Sequence, residues 1–185
     1  MILRSAVFAF SWGLLSLVPL ASQNLPPQFL PILGGTGGNG YTRSCGAGRV
    51  LAGLFFRAGS LVDGVGVICR PVLPDGSLGP ASTRGALAGN GGGTSGSRTC
   101  AAGRAVVRAG IRHGSYINSL LLFCRRWDAA TRTVTGLEFA QDGIGVPEGG
   151  RNDFQGCESA RQPANGIRGR AANLVDAIGF ICDEP

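Results

Sequence analysis

Six cysteines divide this chain of 185 residues into three copies of one unit. Cys45 and Cys69 are 24 positions apart, Cys100 and Cys124 are 24 apart, and Cys157 and Cys182 are 25 apart. Counting backwards from each second cysteine aligns Arg57–Cys69, Arg112–Cys124 and Arg170–Cys182 without a gap. An arginine (Arg57, Arg112, Arg170) recurs twelve positions before the cysteine, and Asp63, Asn118 and Asp176 recur six before it. Such a repeat confines the chain to architectures built from three equivalent parts around one core.

The unit reads as β. Val65 and Val67 alternate with Gly64 and Gly66, and Ile178 and Phe180 alternate with Ala177 and Gly179. A period of two, bulky on one face and small on the other, suits a strand in a tightly packed barrel or prism. Leu51–Phe56 precedes the first such strand across the turn Arg57–Leu61, which makes a hairpin. Pro74-Asp75-Gly76-Ser77 and Asp128-Ala129-Ala130-Thr131 read as further turns. The 32 glycines disfavour a helical bundle, since each interior glycine costs about 0.5–1 kcal/mol against alanine. A hydrophobic content of 44% with 15% charged residues excludes a disordered chain. The expectation is a single all-β domain over residues 22–185, with about four short strands per unit. The units run approximately 34–87, 88–144 and 145–185. The last of these lacks an outer hairpin, and the apolar stretch 25–33 fits as the missing edge.

Residues 1–21 read as an export signal. Arg4 supplies the positive start, Ser5–Leu20 is apolar, and small residues follow, with cleavage after Ala21 or Ser22. A retained membrane anchor is the competing reading, against which the apolar run is short. Export implies a secreted or periplasmic protein without membrane insertion after signal removal. In such a compartment six cysteines read as three disulfides, Cys45, Cys69, Cys100, Cys124, Cys157 and Cys182 all taking part. Six cysteines allow 15 connectivities. The repetition favours pairing within units, and a cyclic pairing between units is the alternative.

Several functions are excluded or disfavoured. The lone histidine, His113, rules out a multi-histidine metal site, and without a C-x-x-C pair zinc is not expected. No cofactor motif is present, because the glycine runs are followed by neither a helix-forming stretch nor a lysine. All 17 basic residues are arginines and the formal charge is +6, yet only Arg125-Arg126 are adjacent. No aromatic-basic stripe marks a nucleic-acid surface. The acids are mostly isolated in sequence. Glu138, Asp142 and Glu148 are the densest group and read as a solvated face, so no carboxylate pair for glycoside hydrolysis stands out. His113 reads as a loop substitution, since its counterparts are Ala58 and Ala171.

Glycine-rich loops, a Gly-x-x-x-Asp turn, an apolar strand and threefold repetition together resemble the jacalin-related lectins. The loop Gly34–Tyr41 and the closing stretch Gly169–Gly179 are especially similar. The resemblance covers about residues 30–185 and implies a β-prism I fold of three four-stranded Greek-key units. The vitelline membrane outer layer proteins are more distantly similar, although cysteines at these places are not typical of the plant lectins. The lectin resemblance implies a carbohydrate-binding protein without catalysis, with up to three shallow sites and glycans or polysaccharide as partners. In that family the turn carboxylate and nearby backbone amides hold sugar hydroxyls, together with an amide of a glycine loop. Carried over, these are Gly59, Leu61, Val62 and Asp63 with Gly93; Leu174, Val175 and Asp176 with Gly38; and Asn118 with Gly150. Gly38, Gly93 and Gly150 each lie seven positions before the first cysteine of a unit. Asn118 departs from the pattern by lacking the charge, and the turn at Ala172 by lacking the glycine. An aspartate in a tight turn is also ordinary turn chemistry. A disulfide-stapled structural or envelope protein without a sugar site is therefore the alternative, and the oligomeric state stays open.

Overall fold

The computed structural model describes residues 26–157 and 162–185; the expected export signal at 1–21 lies outside them. All regular structure in these residues is β. Three long hairpins form the inner wall: β4 (Arg49–Ala58) with β5 (Val62–Pro71), β8 (Arg104–His113) with β9 (Ile117–Asp128), and β13 (Ala164–Ala171) with β14 (Val175–Cys182). Each turns in the same way. The Gly59, Gly114 and Ala172 N–H groups donate to the carbonyls of Leu61, Tyr116 and Leu174, all at 3.0 Å.

The bulky face of the alternation points inward. Val65, Val67, Leu54, Ile111, Leu120, Ile178 and Phe180 are buried together in one core shared by all three hairpins. The small face lets neighbours approach closely from outside. Gly66 lies under the ring of Phe55, and Gly179 lies against the Pro31 and Leu30 carbonyls. A second, smaller core joins Val50, Ala105, Val107, Trp127 and Val134, with Val72 and Leu78 from the Asp75-Gly76 turn packed on it. Trp127 Nε1 donates to the Gly76 carbonyl at 2.8 Å, which fastens that turn to the neighbouring hairpin.

The sheets and the sequence units are out of step. The first sheet has the order β6 (Ser82–Ala88), β5, β4, β7 (Thr94–Thr99). The second is β10 (Thr133–Ala140), β9, β8, β12 (Arg151–Gly156), with β11 (Ile144–Gly145) also on β9. The third is β1 (Gln28–Phe29), β14, β13, β3 (Asn39–Ser44), with β2 (Leu33–Gly34) also on β14. The strand before each first cysteine thus belongs to the hairpin of another unit. A β-bulge fixes this crossing. In each hairpin the register shifts at Ala52, Val107 or Asn165, and that residue's carbonyl accepts the N–H of Cys100, Cys157 or Cys45, each at 2.8 Å. A bulge leaves one residue without its ladder partner, so its carbonyl is free to bind elsewhere.

The disulfides are Cys45–Cys69, Cys100–Cys124 and Cys157–Cys182. Along the chain they lie within units. In space each ties the end of an outer strand to an inner strand of another sheet: third to first, first to second, and second to third. They close a ring around the core.

Two details differ from the sequence reading. Glu138 is not on a solvated face, because its carboxylate lies between Arg125 at 3.1 Å and Arg108 at 3.6 Å. His113 ends strand β8 rather than sitting in the turn, and its Nε2 meets Asp153 Oδ2 at 2.9 Å.

Candidate functional site

The three turns and three glycine loops lie at one end of the prism. Each loop arrives just before its outer strand and passes over the turn of the hairpin that strand joins. The Ala58–Thr94 and Ala171–Asn39 pairings set this register, as does His113 with Arg151. Gly93 is thereby placed against Asp63, Gly38 against Asp176, and Gly150 against Asn118.

The contacts are close enough to require glycine. At Gly93 an added Cβ would meet Asp63 Oδ2 and the Ala58 carbonyl carbon; at Gly38 it would meet Asp176 Oδ2 and the Ala171 carbonyl carbon. Both residues also have positive φ, 73° and 64°, where a side chain costs about 1–2 kcal/mol. The other carboxylate oxygens face glycine as well, Asp63 Oδ1 against Gly91 and Asp176 Oδ1 against Gly37. Each carboxylate thus lines a cleft of bare backbone.

Asp63 and Asp176 are only 9% and 5% exposed, and the Oδ2 atom of each has no hydrogen-bond partner among the described residues. A buried carboxylate oxygen normally has a donor, and leaving it without one costs free energy. Among the described residues the Gly93 and Gly38 N–H groups likewise donate to no protein acceptor. The clefts therefore offer a strong acceptor beside a backbone donor, the combination that suits a hydroxyl group, which both donates and accepts. Val62 and Val175 have their side chains in the core, so only their backbone is available to a ligand, while Leu61 and Leu174 are half-buried. Gly59 lies beside Asp63 and Gly93, 3.8 and 3.9 Å from its Cβ position.

The third position is different. Asn118 Nδ2 donates to the Glu148 carbonyl at 3.1 Å, so the amide ties down its own loop. Gly150 keeps the left-handed conformation, φ 66°, 3.2 Å from Asn118 Oδ1 by its Cβ position. No charge faces that loop from position 118.

The recurrent arginines had no role in the sequence reading, and the structure gives them one. Arg57 Nε and Nη2 donate to the Gly92 and Gly93 carbonyls, both at 3.0 Å. Arg170 Nε and Nη2 donate to those of Gly37 and Gly38, at 2.7 and 2.6 Å. Arg112 makes a single bond of this kind, from Nη1 to the Gly149 carbonyl at 3.2 Å. Strict recurrence at a fixed distance from the turn was the signal available in the sequence.

Neighbouring sites touch. Gly91 of the first loop abuts the Asn173 carbonyl of the Asp176 turn, and Gly35 of that site's loop abuts the Ser115 carbonyl of the third turn. Gly143 and Gly145 of the third loop share a surface groove with Gly59. Among the described residues no three His, Cys, Asp or Glu side chains converge to hold a metal ion.

A threefold prism with these turns and loops has the fold of the jacalin-related lectins. In three dimensions it is similar to a lectin from Malaysian banana, at 19% identity and TM-score 0.59, covering 86% of this chain and 100% of that one. A mannose-binding jacalin-related lectin from Ananas comosus is similar at 19% identity and TM-score 0.62, with coverages of 86% and 99%. A mannose-specific jacalin-related lectin from Morus nigra, solved with mannose, is similar at 18% identity and TM-score 0.55, with coverages of 90% and 98%. These neighbours are lectins, not enzymes. No protein-family model and no curated protein sequence matches the chain.

Proposed function

We propose that this is an exported, secreted or periplasmic, carbohydrate-binding protein without catalytic activity. Its two principal sites are the clefts at Asp63 and Asp176, and the ligand is a hexose with adjacent hydroxyls of the mannose type, presented on a glycan or polysaccharide. The observation that carries this reading is the pair of buried, partnerless Oδ2 atoms facing glycine backbone. A sugar supplies a donor to each carboxylate group: one hydroxyl gives its proton to the carboxylate, and its oxygen accepts from the Gly93 or Gly38 N–H. Mannose binding by the structural neighbours from Ananas comosus and Morus nigra supports the choice of sugar. The Asn118 position is the weakest of the three, since a neutral amide already engaged with Glu148 forms no charge-assisted bond to a hydroxyl.

Shallow sites of this kind bind weakly one at a time and gain through clustering on a multivalent glycan. The test is retention on mannose-agarose, with calorimetric titration of methyl mannoside. Each of Asp63→Ala and Asp176→Ala should remove one site, and the double variant should pass through the resin unretained. Retention unchanged in the double variant would overturn the site assignment. Absence of saturable binding to any sugar of a glycan array would leave a stapled structural protein as the better reading.

A further inference from the structure

We infer that Arg57 and Arg170 are positioning residues that aim the Gly93 and Gly38 N–H groups into their clefts, and that the side-chain fork rather than the charge does this. The inference concerns the same sites as the proposed sugar binding, and only its effect on affinity rests on that reading.

The argument is one of peptide geometry. The described residues contain no cis peptide, so the carbonyl of one residue and the N–H of the next point in opposite directions across each plane. Arg57 Nε holds the Gly92 carbonyl, which turns the Gly93 N–H away from the guanidinium; Nη2 holds the Gly93 carbonyl and fixes the next plane. Arg170 does the same to the Gly37 and Gly38 carbonyls. Two parallel donors on a rigid planar group set two planes at once, which a single ammonium cannot do. The glycine runs, Gly91–Gly93 after Gly89-Asn90 and Gly37-Gly38 after Gly34-Gly35-Thr36, would otherwise leave these loops with very free backbone. The fork is complete in the two units that keep the aspartate. It falls to one bond, from Arg112, in the unit that carries Asn118. Acceptor and clamp thus vary together, as they should if the clamp serves the cleft.

The test uses uniformly ¹⁵N-labelled protein carrying Asp176→Ala, so that the Asp63 site alone reports, with Arg57→Gln and Arg57→Lys added in turn. In the absence of sugar, Arg57→Gln and Arg57→Lys should both shift the Gly93 amide resonance and speed its hydrogen exchange. The Gly38 amide serves as internal reference and should stay in place. Methyl mannoside affinity should fall by about tenfold or more in both variants, with thermal unfolding little changed. An unmoved Gly93 amide in Arg57→Gln, or full recovery of amide and affinity in Arg57→Lys, would overturn the inference. Failure of the parent protein to bind sugar would count against the function proposed above, while the amide resonances would still decide the role of the arginine.

Discussion

At the scale of single residues, the site is made of what glycine leaves uncovered. Counting from the cysteines puts Gly93 and Gly38 at equivalent positions of the repeat, and it is the lectin resemblance that sets them opposite Asp63 and Asp176. Two things at this scale could not be read in advance. The Asn118 amide binds the Glu148 carbonyl thirty positions away, and Arg57 clamps backbone thirty-five positions away. Both depend on which loop the fold brings alongside, not on local composition. Tyr41 gives a residue-scale prediction. Its hydroxyl donates to the Ala177 carbonyl, next to Asp176, at 3.3 Å. Burial raises its pKa well above the usual tyrosine range, with Arg43 opposing in part. An unfolded tyrosine ionises near pH 10, so it loses its proton before the folded one does. The contribution of Tyr41 to stability is then present in full below about pH 10 and is lost as pH rises toward the folded value. Chemical denaturation between pH 8 and 11.5 should show stability falling more steeply in the parent protein than in Tyr41→Phe. Parallel slopes would show that the hydroxyl titrates as it does in water.

At the scale of elements, the inner hairpins were legible and the partnership of the outer strands was not. Alternation of Val65 and Val67 with glycine marks a strand buried against neighbours on both sides, and β5 and β14 are buried along nearly their whole length. No local pattern says that β7, which precedes Cys100, hydrogen-bonds to β4 of the preceding hairpin. That choice is made by the bulge at Ala52, a feature of pairing rather than of residue type. The stretch after residue 25 was expected at the open edge of the last unit, and both β1 and β2 pair with β14. Leu30 is buried there, its N–H bonds to the Phe180 carbonyl at 3.0 Å, and Arg168 lies over the Phe29 ring. Removing residues 26–34 should bare the edge of β14, lower the unfolding temperature and promote self-association, since an exposed strand edge recruits others. Sedimentation velocity and a thermal melt of the truncated chain check this; a monomer of unchanged stability would show that β13 and β14 need no cover.

For the whole molecule, the three disulfides matter as a set. Each closes a loop of about 25 residues and should contribute about 3.5 kcal/mol by restricting the unfolded chain. Because they join the sheets in a cycle, losing any one bridge leaves all three sheets linked through the other two, and losing a second releases one sheet. Single cysteine-pair replacements with serine should therefore lower stability and keep sugar retention, whereas double replacements should lose both; retention that survives all three would show that the core alone holds the end of the prism together. The strands β1 and β2 have a further consequence. Gln28 pairs with Cys182, so the two ends of the described chain lie side by side in one sheet. The body is therefore a closed necklace of three beads with its clasp inside the third, and the order in which the chain visits the beads is only one of the equivalent ways of opening the same circle.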